Sequence, residues 1–470
     1  MIRIPVIGII LALAAGPACA APDAEGRGRG GRHGPEHQAK VEVPARPLDV
    51  VLGRPTATSV TASVLLYAGG RGSVEYGVRQ GEYPDHTPVT EFGKGTPVHM
   101  VIGPLKADTR YYYRFRHETA GAQGAVAGTF HTQRAPGSAF VFTVQADSHL
   151  DQNTSTELYE RTLRNALADR PDFHIDLGDT FMTGKYRGQD PSRLYLAQRY
   201  YFGLLCHSAP LFFVLGNHDG EPGGGRGQPA DAILLRKKYF PNPVQDGFYT
   251  GEDRGALENY YAWQWGDALF VVLDPFRYSG RPRGEPEDNW NMTLGAEQYH
   301  WLKRTLENSK AAFKFVFIHH LVGGVNRDGR NRGGAEAAAF YEWGGRNADG
   351  SDGFAEQRPG WEMPIQQLLV RNGVQIVFHG HDHFFAKQDL GGIVYQLVPQ
   401  PGAQERRSVR EAERYGYEKG EFLSSPGHLR VRVSPNSAVV ECVRSRLPED
   451  EGMRKEKDAV AYTYTIPAAP

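Results

Sequence analysis

Five apolar segments of this sequence each end in a group of aspartate, asparagine or histidine residues. The five endings are Asp147-Ser148-His149, Gly178-Asp179, Gly216-Asn217-His218-Asp219, His319-His320 and His379-Gly380-His381-Asp382-His383. A single histidine after a strand is usually a hydrogen-bonded structural residue, and Gly-Asp is a common turn dipeptide. Five such endings together favour a site over packing, because buried ionisable groups need partners.

Most of these polar side chains carry donor atoms that bind metal ions, and none of them is a thiolate. The candidate ligands are Asp147, His149, Asp179, Asn217, His319, His381 and His383. Imidazole, carboxylate and amide oxygen donors suit borderline or hard ions such as Zn, Fe or Mn. The set is too large for one tetrahedral zinc ion, which takes four ligands. The sequence therefore predicts two metal ions that share one bridging carboxylate.

The segments around these endings predict buried strands that alternate with helices. Helices are expected from a capping box at Thr154 to about Ala168, over about 296–306, and over 364–370. Strand–helix alternation is typical of an α/β domain, in which sites form beyond the carboxyl ends of the strands. We place this domain at 138–445, with a β-rich end over 392–443, followed by a C-terminal tail at 446–470.

The segment before Pro136 has a different texture, with short β-like runs separated by glycine and proline. The runs lie at 60–67, 73–76, 98–102, 111–116 and 128–132. This spacing favours an antiparallel sandwich over 44–134. The stretch LKADTRYYYRFR (105–116) resembles the tyrosine-bearing strand of fibronectin type III-like domains, in particular the N-terminal domain of purple acid phosphatases.

The N-terminus has the three parts of a secretory signal peptide. These are Arg3, an apolar run from Ile4 to Ala15, and the small-residue cleavage site Ala18-Cys19-Ala20. We expect cleavage after Ala20, and secreted or periplasmic localisation; the alternative is a buried N-terminal strand or helix. Residues 21–43 are Gly- and Arg-rich and predict a flexible linker, a role that we favour over an RNA-binding segment.

Composition excludes several classes of protein. The 470 residues include 53 Lys and Arg against 54 Asp and Glu, a net charge of −1. The chain therefore lacks a global basic field that would gather nucleic acid or anionic membrane, and we expect no specific nucleic acid partner. A charged fraction of 23% and a mean hydropathy of −0.49 argue against a membrane-spanning protein. The apolar part of the leader is too short to span a bilayer.

The order Asp-x-His, Gly-Asp, Gly-Asn-His-Asp, His-His and Gly-His-Asp-His resembles the calcineurin-like metallophosphoesterase superfamily over roughly 138–400. The resemblance implies a sandwich of two mixed β-sheets flanked by helices, preceded by the all-β fibronectin III-like domain. Purple acid phosphatases carry a tyrosine ligand three residues after the Gly-Asp aspartate, where this sequence has Met182, and they lack a histidine at the position of His149. We therefore predict no tyrosinate–iron colour.

The resemblance also implies a role for each candidate residue. One metal ion would be held by Asp147, His149 and His383, the second by Asn217, His319 and His381, with Asp179 bridging them. Family strands usually present the first histidine of the pair, so His319 is expected to be the ligand and His320 its neighbour. His218 would stand over the leaving group, oriented by Asp219.

The implied reaction is hydrolysis of a small-molecule phosphate ester by in-line attack of a metal-bridging hydroxide, with His218 assisting the leaving group. Monoester and diester substrates both remain open. A catalytically silent metal-containing binding module is a third alternative, which the intact ligand set disfavours. The strand that ends at His319 is followed by three arginines, Arg327, Arg330 and Arg332. They could contact the substrate phosphate, but we favour a solvated loop, because surface arginines are common. Export would permit Cys206 and Cys442 to pair.

Overall fold

The structure is a computed structural model. It describes residues 39–186, 189–220, 231–252, 257–280, 286–324, 332–403, 410–448 and 460–469. The predicted signal peptide and most of the predicted linker lie outside these ranges. Within them, every helix is too short or too polar to cross a bilayer.

The first part of the chain is built from strands, as its turn-punctuated sequence predicts. They are β1 (Leu48–Gly53), β2 (Val60–Leu66), β3 (Gly70–Gly77), β4 (Asp85–His86), β5 (Thr90–Phe92), β6 (Pro97–Ile102), β7 (Arg110–Thr119) and β8 (Ala122–His131). Strand β7 alternates buried and half-buried or exposed residues along much of its length, which is the pattern of a strand with one face on a core.

The remaining strands carry the runs of Phe, Val and Ile seen in the sequence. They are β9 (Phe140–Gln145), β10 (Phe173–Asp176), β11 (Leu211–Phe213), β12 (Thr250–Gly251), β13 (Tyr261–Trp265), β14 (Ala268–Val272), β15 (Phe313–Phe317), β16 (Ile376–His379), β17 (Phe385–Leu390), β18 (Ile393–Leu397), β19 (Glu421–Leu423), β20 (Gly427–Val433), β21 (Ser437–Arg444) and β22 (Val460–Pro467). Strand β22 lies in the segment expected to be a tail and pairs antiparallel with β21.

Helices connect these strands. They are α1 (Thr156–Ala168), α2 (Ser192–Cys206), α3 (Asp231–Tyr239), α4 (Gly295–Glu307), α5 (Tyr341–Gly344), α6 (Phe354–Gln357), α7 (Ile365–Arg371) and α8 (Arg410–Arg414), with 3₁₀ turns at Pro286–Asn291 and Ala337–Ala339. The cap of α1 differs by one residue from the prediction: Ser155, not Thr154, accepts a hydrogen bond from the Leu158 amide, at 3.2 Å.

Two large sheets form the body of the fold. Over the described residues, sheet A has the order β22-β21-β20-β9-β10-β11-β1-β2-β6, and sheet B has the order β12-β13-β14-β15-β16-β18-β17-β19. Strands β9, β10 and β11 run parallel, and so do β14, β15, β16 and β18. The carboxyl ends of each parallel group therefore lie along one edge of its sheet.

The main core lies between sheets A and B and is rich in phenylalanine. Phe142 of sheet A meets Phe270 of sheet B edge-on, with ring centroids 5.2 Å apart. Each such buried ring contributes about 1.5–3 kcal/mol. A second cluster packs sheet B against α4 and α7, and a third packs sheet A against α1 and α2. The resulting layers are helix, sheet, sheet and helix, which confirms the predicted sandwich of two mixed sheets flanked by helices.

The strands of the first part divide between two sheets. β1, β2 and β6 extend sheet A, where β1 runs parallel to β11 at the pair Gly53 and Leu211. β3, β4, β5, β7 and β8 form sheet C. A shared apolar cluster that includes Val64 and Tyr113 joins the two groups. Half of this sandwich is thus continuous with the large sheet, so its strands also brace β11.

Candidate metal centre

The polar strand endings come together because both sheets direct parallel strands toward the same region. Asp147, Asp179 and Asn217 follow β9, β10 and β11 of sheet A, while His319 and His381 follow β15 and β16 of sheet B. A hydrogen bond of 2.8 Å from the backbone amide of His381 to the side-chain oxygen Oδ2 of Asp147 joins the two sheets at this point. The centre therefore forms where the two sheets meet, as the strand endings predict.

Several candidate ligands have unusual backbone conformations. The φ angles of Asp147, Asp179, His381 and His383 are 57°, 55°, 77° and 64°, all in the left-handed region. Such conformations cost about 1–3 kcal/mol each for residues other than glycine and concentrate at functional sites. The fold thus holds these four side chains in positions that an ordinary turn would not give them.

Glycine permits the two neighbouring turns of sheet A to touch. A Cβ atom on Gly216 would lie 2.0 Å from the Asp179 amide nitrogen and 2.3 Å from its Oδ1. No side chain fits there, so the Gly216 turn and the Asp179 turn approach each other only because residue 216 is glycine.

The first group of donors, site 1, consists of Asp147, His149 and His383, whose candidate ligand atoms all lie within 4.8 Å of one another. His383 Nε2 lies 3.2 Å from Asp147 Oδ1 and 3.4 Å from His149 Nε2. Asp147 Oδ1 is buried and accepts no hydrogen bond from the described residues. A buried carboxylate oxygen that faces two imidazole nitrogens fits a metal ion, which would satisfy all three atoms at once.

The second group, site 2, contains Asp179, His319 and His381, again with ligand atoms within 4.8 Å of one another. His319 Nε2 lies 3.4 Å from Asp179 Oδ2 and 3.1 Å from the amide oxygen of Asn217. His319 Nδ1 donates to the Leu177 carbonyl at 2.8 Å, which leaves Nε2 free as a donor to metal.

His320 is placed differently from its neighbour. Its Nδ1 faces its own neighbour's carbonyl, that of Leu321, at 3.0 Å, and its ring lies edge-on to Phe276 with centroids 5.1 Å apart. Burial lowers the pKa of His320 to about 4, so the ring is neutral. His319, and not His320, is the histidine grouped with Asp179 and Asn217.

The two aspartates at the centre of the site are buried. Burial opposes their ionisation, but the adjacent His383 and His319 outweigh it and lower the pKa of Asp147. The pKa of Asp179 is lowered in the same way, with His319 the main opposing influence. The Asp179 carboxylate acts in the opposite direction and raises the pKa of Asp147, as expected of like charges at short range. Cations in the centre would relieve this repulsion.

Asp219 has a structural position. Its Oδ1 accepts the Thr180 and Phe181 amides at 2.8 Å each, and its Oδ2 accepts the Asp179 and Gly216 amides at 3.0 and 2.8 Å. Burial and the nearby Asp179 raise the pKa of Asp219 to about 7, against the opposing effect of the backbone amides. All four bonds run to the backbone of the two turns that carry Asp179 and Asn217. Asp219 therefore joins these two turns and does not hold the His218 ring as predicted.

His218 is half-buried beside Asp179. Its amide donates to Asp179 Oδ1 at 2.7 Å and its carbonyl accepts the Gly184 amide at 2.9 Å, so the backbone on both sides of the ring is fixed. Burial lowers the pKa of the imidazole, while the Asp179 carboxylate opposes this shift. In the described part of the chain, no hydrogen bond joins the ring to Asp219.

Several residues near the centre carry no motif in the sequence. Asp151 lies beside His149, Lys185 beside Asp151, and Gln400 Nε2 is 3.4 Å from His149 Nε2. Arg332 is buried and paired with Asp382 at 2.6 Å, so it holds the Gly-His-Asp-His turn and is not part of a solvated loop. Arg327 and Arg330 lie outside the described residues.

Two further sequence expectations concern Met182 and the cysteines. Met182 is buried in a small apolar cluster with Ala39, Tyr186 and Leu194, while His149 takes part in site 1. Cys206 and Cys442 are both buried with free thiols, so they do not form the disulfide that export would permit.

Comparison with known proteins agrees with this geometry. Residues 140–385, just over half of the chain, match the family model described as calcineurin-like phosphoesterase. The tartrate-resistant acid phosphatase type 5 of Oryctolagus cuniculus is 24% identical over 282 residues, which cover 57% of this chain and 74% of that protein.

Solved structures share the fold at low sequence identity. A structure of PhoD aligns with a TM-score of 0.64 and 16% identity over 90% of each chain. A purple acid phosphatase, PPD1, from seeds of yellow lupin (Lupinus luteus) aligns with a TM-score of 0.58 and 13% identity, over 89% of this chain and 74% of the other.

The protein belongs to the calcineurin-like phosphoesterase family. It is a metal-dependent phosphoric ester hydrolase, and the two groups of side chains at the joined edges of sheets A and B are its candidate metal sites.

Proposed function

We propose that the protein hydrolyses small phosphate esters at sites 1 and 2, with His218 assisting departure of the leaving oxygen. The observation that carries the proposal is the convergence of buried donor atoms from both sheets, above all Asp147 Oδ1, which accepts no hydrogen bond from the described residues, and His319 Nε2, which faces Asn217 and Asp179. Two metal ions bound there would activate a water molecule and neutralise the phosphoryl oxygens. The family and the phosphatase relative support this chemistry.

Each ligand has a place in the proposed centre. Asp147, His149 and His383 would hold one ion, and Asn217, His319 and His381 the other. Asp179 would be shared, since it belongs to site 2 and also acts electrostatically on Asp147 of site 1. The identity of the metal follows the donor set, which suits Fe, Zn or Mn.

His218 is the residue best placed to serve the leaving group. It is half-buried, its backbone is bonded to Asp179 Oδ1, and its pKa is lowered by burial and raised by the Asp179 carboxylate. An imidazole held beside the reacting phosphorus can donate a hydrogen bond or proton to a departing alkoxide. Its orientation would come from the fixed backbone on both sides and from the field of Asp179.

Kinetics and metal analysis together test this assignment. The metal-loaded chain is assayed with p-nitrophenyl phosphate and with its bis-ester, which also separates a monoesterase from a diesterase. We expect His218→Ala to keep both ions and lose most turnover, and Asp179→Ala to lose the metal pair. No turnover of either ester by wild-type protein that holds two ions would favour a silent binding module. Equal metal loss in both variants would contradict the role of His218.

We also propose that the chain is exported and that residues 44–134 act as a fibronectin III-like front domain. The leader sequence supports the first part, and the packing of sheet C against β1, β2 and β6 supports the second. N-terminal sequencing of protein recovered from the periplasm or medium tests export, with Ala21 as the expected first residue. Recovery of full-length protein in the cytosol alone would contradict it.

A further inference from the structure

His149 of site 1 and His319 of site 2 differ in how the second ring nitrogen is satisfied. His319 Nδ1 donates to a backbone carbonyl, that of Leu177, at 2.8 Å. His149 Nδ1 is buried and has no hydrogen-bond partner within the described ranges. The atom that faces it is Oδ2 of Asp151, 3.4 Å away. A metal ligand that uses Nε2 must carry its proton on Nδ1, so His149 needs an acceptor at this position.

Asp151 is built to be that acceptor. Its side chain is 3% exposed, and its Oδ1 accepts the Asn153 amide at 2.8 Å. Its Oδ2 accepts a hydrogen bond from Lys185 Nζ at 3.0 Å. Thr154 Oγ1 donates to the carbonyl of His149 at 2.5 Å and so closes the loop around the histidine. The carboxylate is therefore fixed by its own loop and by a cation from the segment after β10.

Lys185 connects this pair to the other side of the centre. Its side chain is 34% exposed and its neighbour Gly184 donates its amide to the His218 carbonyl at 2.9 Å. A buried carboxylate without a cation would be costly, because desolvation disfavours a lone charge. Lys185 offsets this cost through its 3.0 Å contact with Asp151 Oδ2 and so holds the carboxylate beside His149.

We propose that Asp151 and Lys185 are positioning residues for site 1: Asp151 accepts the Nδ1 proton of His149, and Lys185 holds Asp151 in place. The inference rests on the proposed function, since it assigns His149 as a ligand. It deepens that function by giving the two metal sites different supports. Site 1 depends on a carboxylate and a lysine, whereas His319 of site 2 depends on a backbone carbonyl that no substitution of a side chain removes.

This difference predicts a selective effect. Loss of a hydrogen-bonded partner behind a ligating histidine typically lowers metal affinity 10–100-fold. Asp151→Asn would present an amide in place of one carboxylate oxygen and lose the ionic contact with Lys185. We expect the affinity of site 1 to fall by roughly that factor while that of site 2 stays unchanged.

The chain contains a matched control. Asp169, at the carboxyl end of α1, accepts from His428 Nε2 at 2.8 Å and pairs with Arg430. It thus repeats the arrangement of carboxylate, histidine and cation with no candidate metal ligand among its partners in the described residues. Asp169→Asn removes the same charge from a comparable contact, so any general effect on stability is shared and any metal effect is not.

The experiment is titration calorimetry of the chelator-treated full chain with Mn²⁺ and, separately, with Zn²⁺. Asp151→Asn, Lys185→Met, Lys185→Arg and Asp169→Asn are compared with wild type, and circular dichroism and thermal denaturation report folding. We expect two binding events in wild type, Asp169→Asn and Lys185→Arg. Asp151→Asn should weaken one event 10–100-fold, and Lys185→Met should weaken the same event less.

The outcomes separate the inference from the proposed function. Two undiminished binding events in folded Asp151→Asn or Lys185→Met would overturn the inference and leave the proposed function standing. Equal weakening of both events, or the same loss in Asp169→Asn, would also overturn it. Wild-type protein that binds no metal pair would overturn the proposed function, and the inference with it. If Asp151→Asn does not fold, the result for Lys185→Met tests the inference. The Lys185 side chain lies partly in solvent, so we expect this variant to fold.

Discussion

Replacement of Asp219 by asparagine distinguishes a structural role from a catalytic one. If Asp219 oriented His218, Asp219→Asn would lower turnover and leave the metal centre and the stability of the fold intact. The structure assigns its carboxylate instead to four backbone amides, two on each oxygen. We therefore expect Asp219→Asn to loosen the two turns that carry Asp179 and Asn217.

The magnitude follows from the bonds that asparagine cannot make. Its amide nitrogen would replace one oxygen and face two backbone N–H groups, whichever way the side chain is turned. Two buried donors left without acceptors cost about 1–3 kcal/mol each, or roughly 2–6 kcal/mol in all. The entropy of unfolding is about 2.1 cal/mol/K per residue, so a cooperative unit of about 430 residues would lose on the order of 2–7 °C in melting temperature.

The assay combines thermal denaturation, metal content and turnover of p-nitrophenyl phosphate at pH 8. This pH lies above the pKa of about 7 that burial gives Asp219, so wild type carries the carboxylate. Asp274→Asn is a matched control. Its Oδ1 accepts the Phe276 and Arg277 amides at 2.7 and 3.2 Å, beyond the end of β14. We expect Asp219→Asn to lose stability, metal and turnover together, and Asp274→Asn to lose stability alone.

One result would refute this reasoning. Asp219→Asn with wild-type melting temperature and two bound ions, but with the turnover of His218→Ala, would show that Asp219 acts through His218. The four backbone bonds would then contribute little to the position of the turns.

Three further predictions concern colour, acid stability and the glycine contact. Iron-loaded protein should lack a tyrosinate charge-transfer band, since Met182 replaces the tyrosine and lies in an apolar cluster; visible absorption of that type would contradict the ligand set. Burial lowers the pKa of His174 to about 3. Below pH 6.5 the unfolded chain therefore binds a proton at this residue that the folded chain does not bind. As the pH is lowered, this residue decreases the free energy of unfolding by about 1.4 kcal/mol per pH unit. The free energy of unfolding, measured with denaturant between pH 7 and 4.5, should depend less steeply on pH in His174→Gln, by the equivalent of about one proton. An unchanged slope would refute the assignment. Gly216→Ala should displace Asp179 and lose metal, because its Cβ would lie 2.0 Å from the Asp179 amide; retention of two ions by atomic absorption would show that the turns can separate.

Much of the fold followed from local patterns. The apolar run FVFTVQ is β9 in full, and the helix expected over about 296–306 extends from Gly295 to Glu307. These elements are predictable because strand and helix periodicity is written in adjacent residues. The start of α1 was one residue off, because Thr154 and Ser155 are equally good caps by type and only the turn geometry distinguishes them.

A strand ending alone does not identify a ligand. Asp274 follows β14 of sheet B just as Asp147 follows β9 of sheet A, yet its carboxylate accepts the Asn259 side chain at 2.8 Å and two backbone amides. The candidate ligands were recognisable in the sequence because their types and order formed a set. Asp274 also follows a strand but belongs to none of the five motifs. The motifs taken together, and not the position after a strand, therefore indicated the candidate ligands.

The sequence by itself determined the family, the layered α/β architecture and the donors of the candidate centre, because each of these is expressed in short segments whose order along the chain is characteristic. The tertiary structure decided what supports those donors. Lys185 reaches Asp151, and Arg332 reaches Asp382, across 34 and 50 positions of sequence. Such contacts depend on where loops of different strands meet and on which buried charges need a partner there. Those conditions arise only when β9 pairs with β10 and β15 pairs with β16, so no local pattern records them.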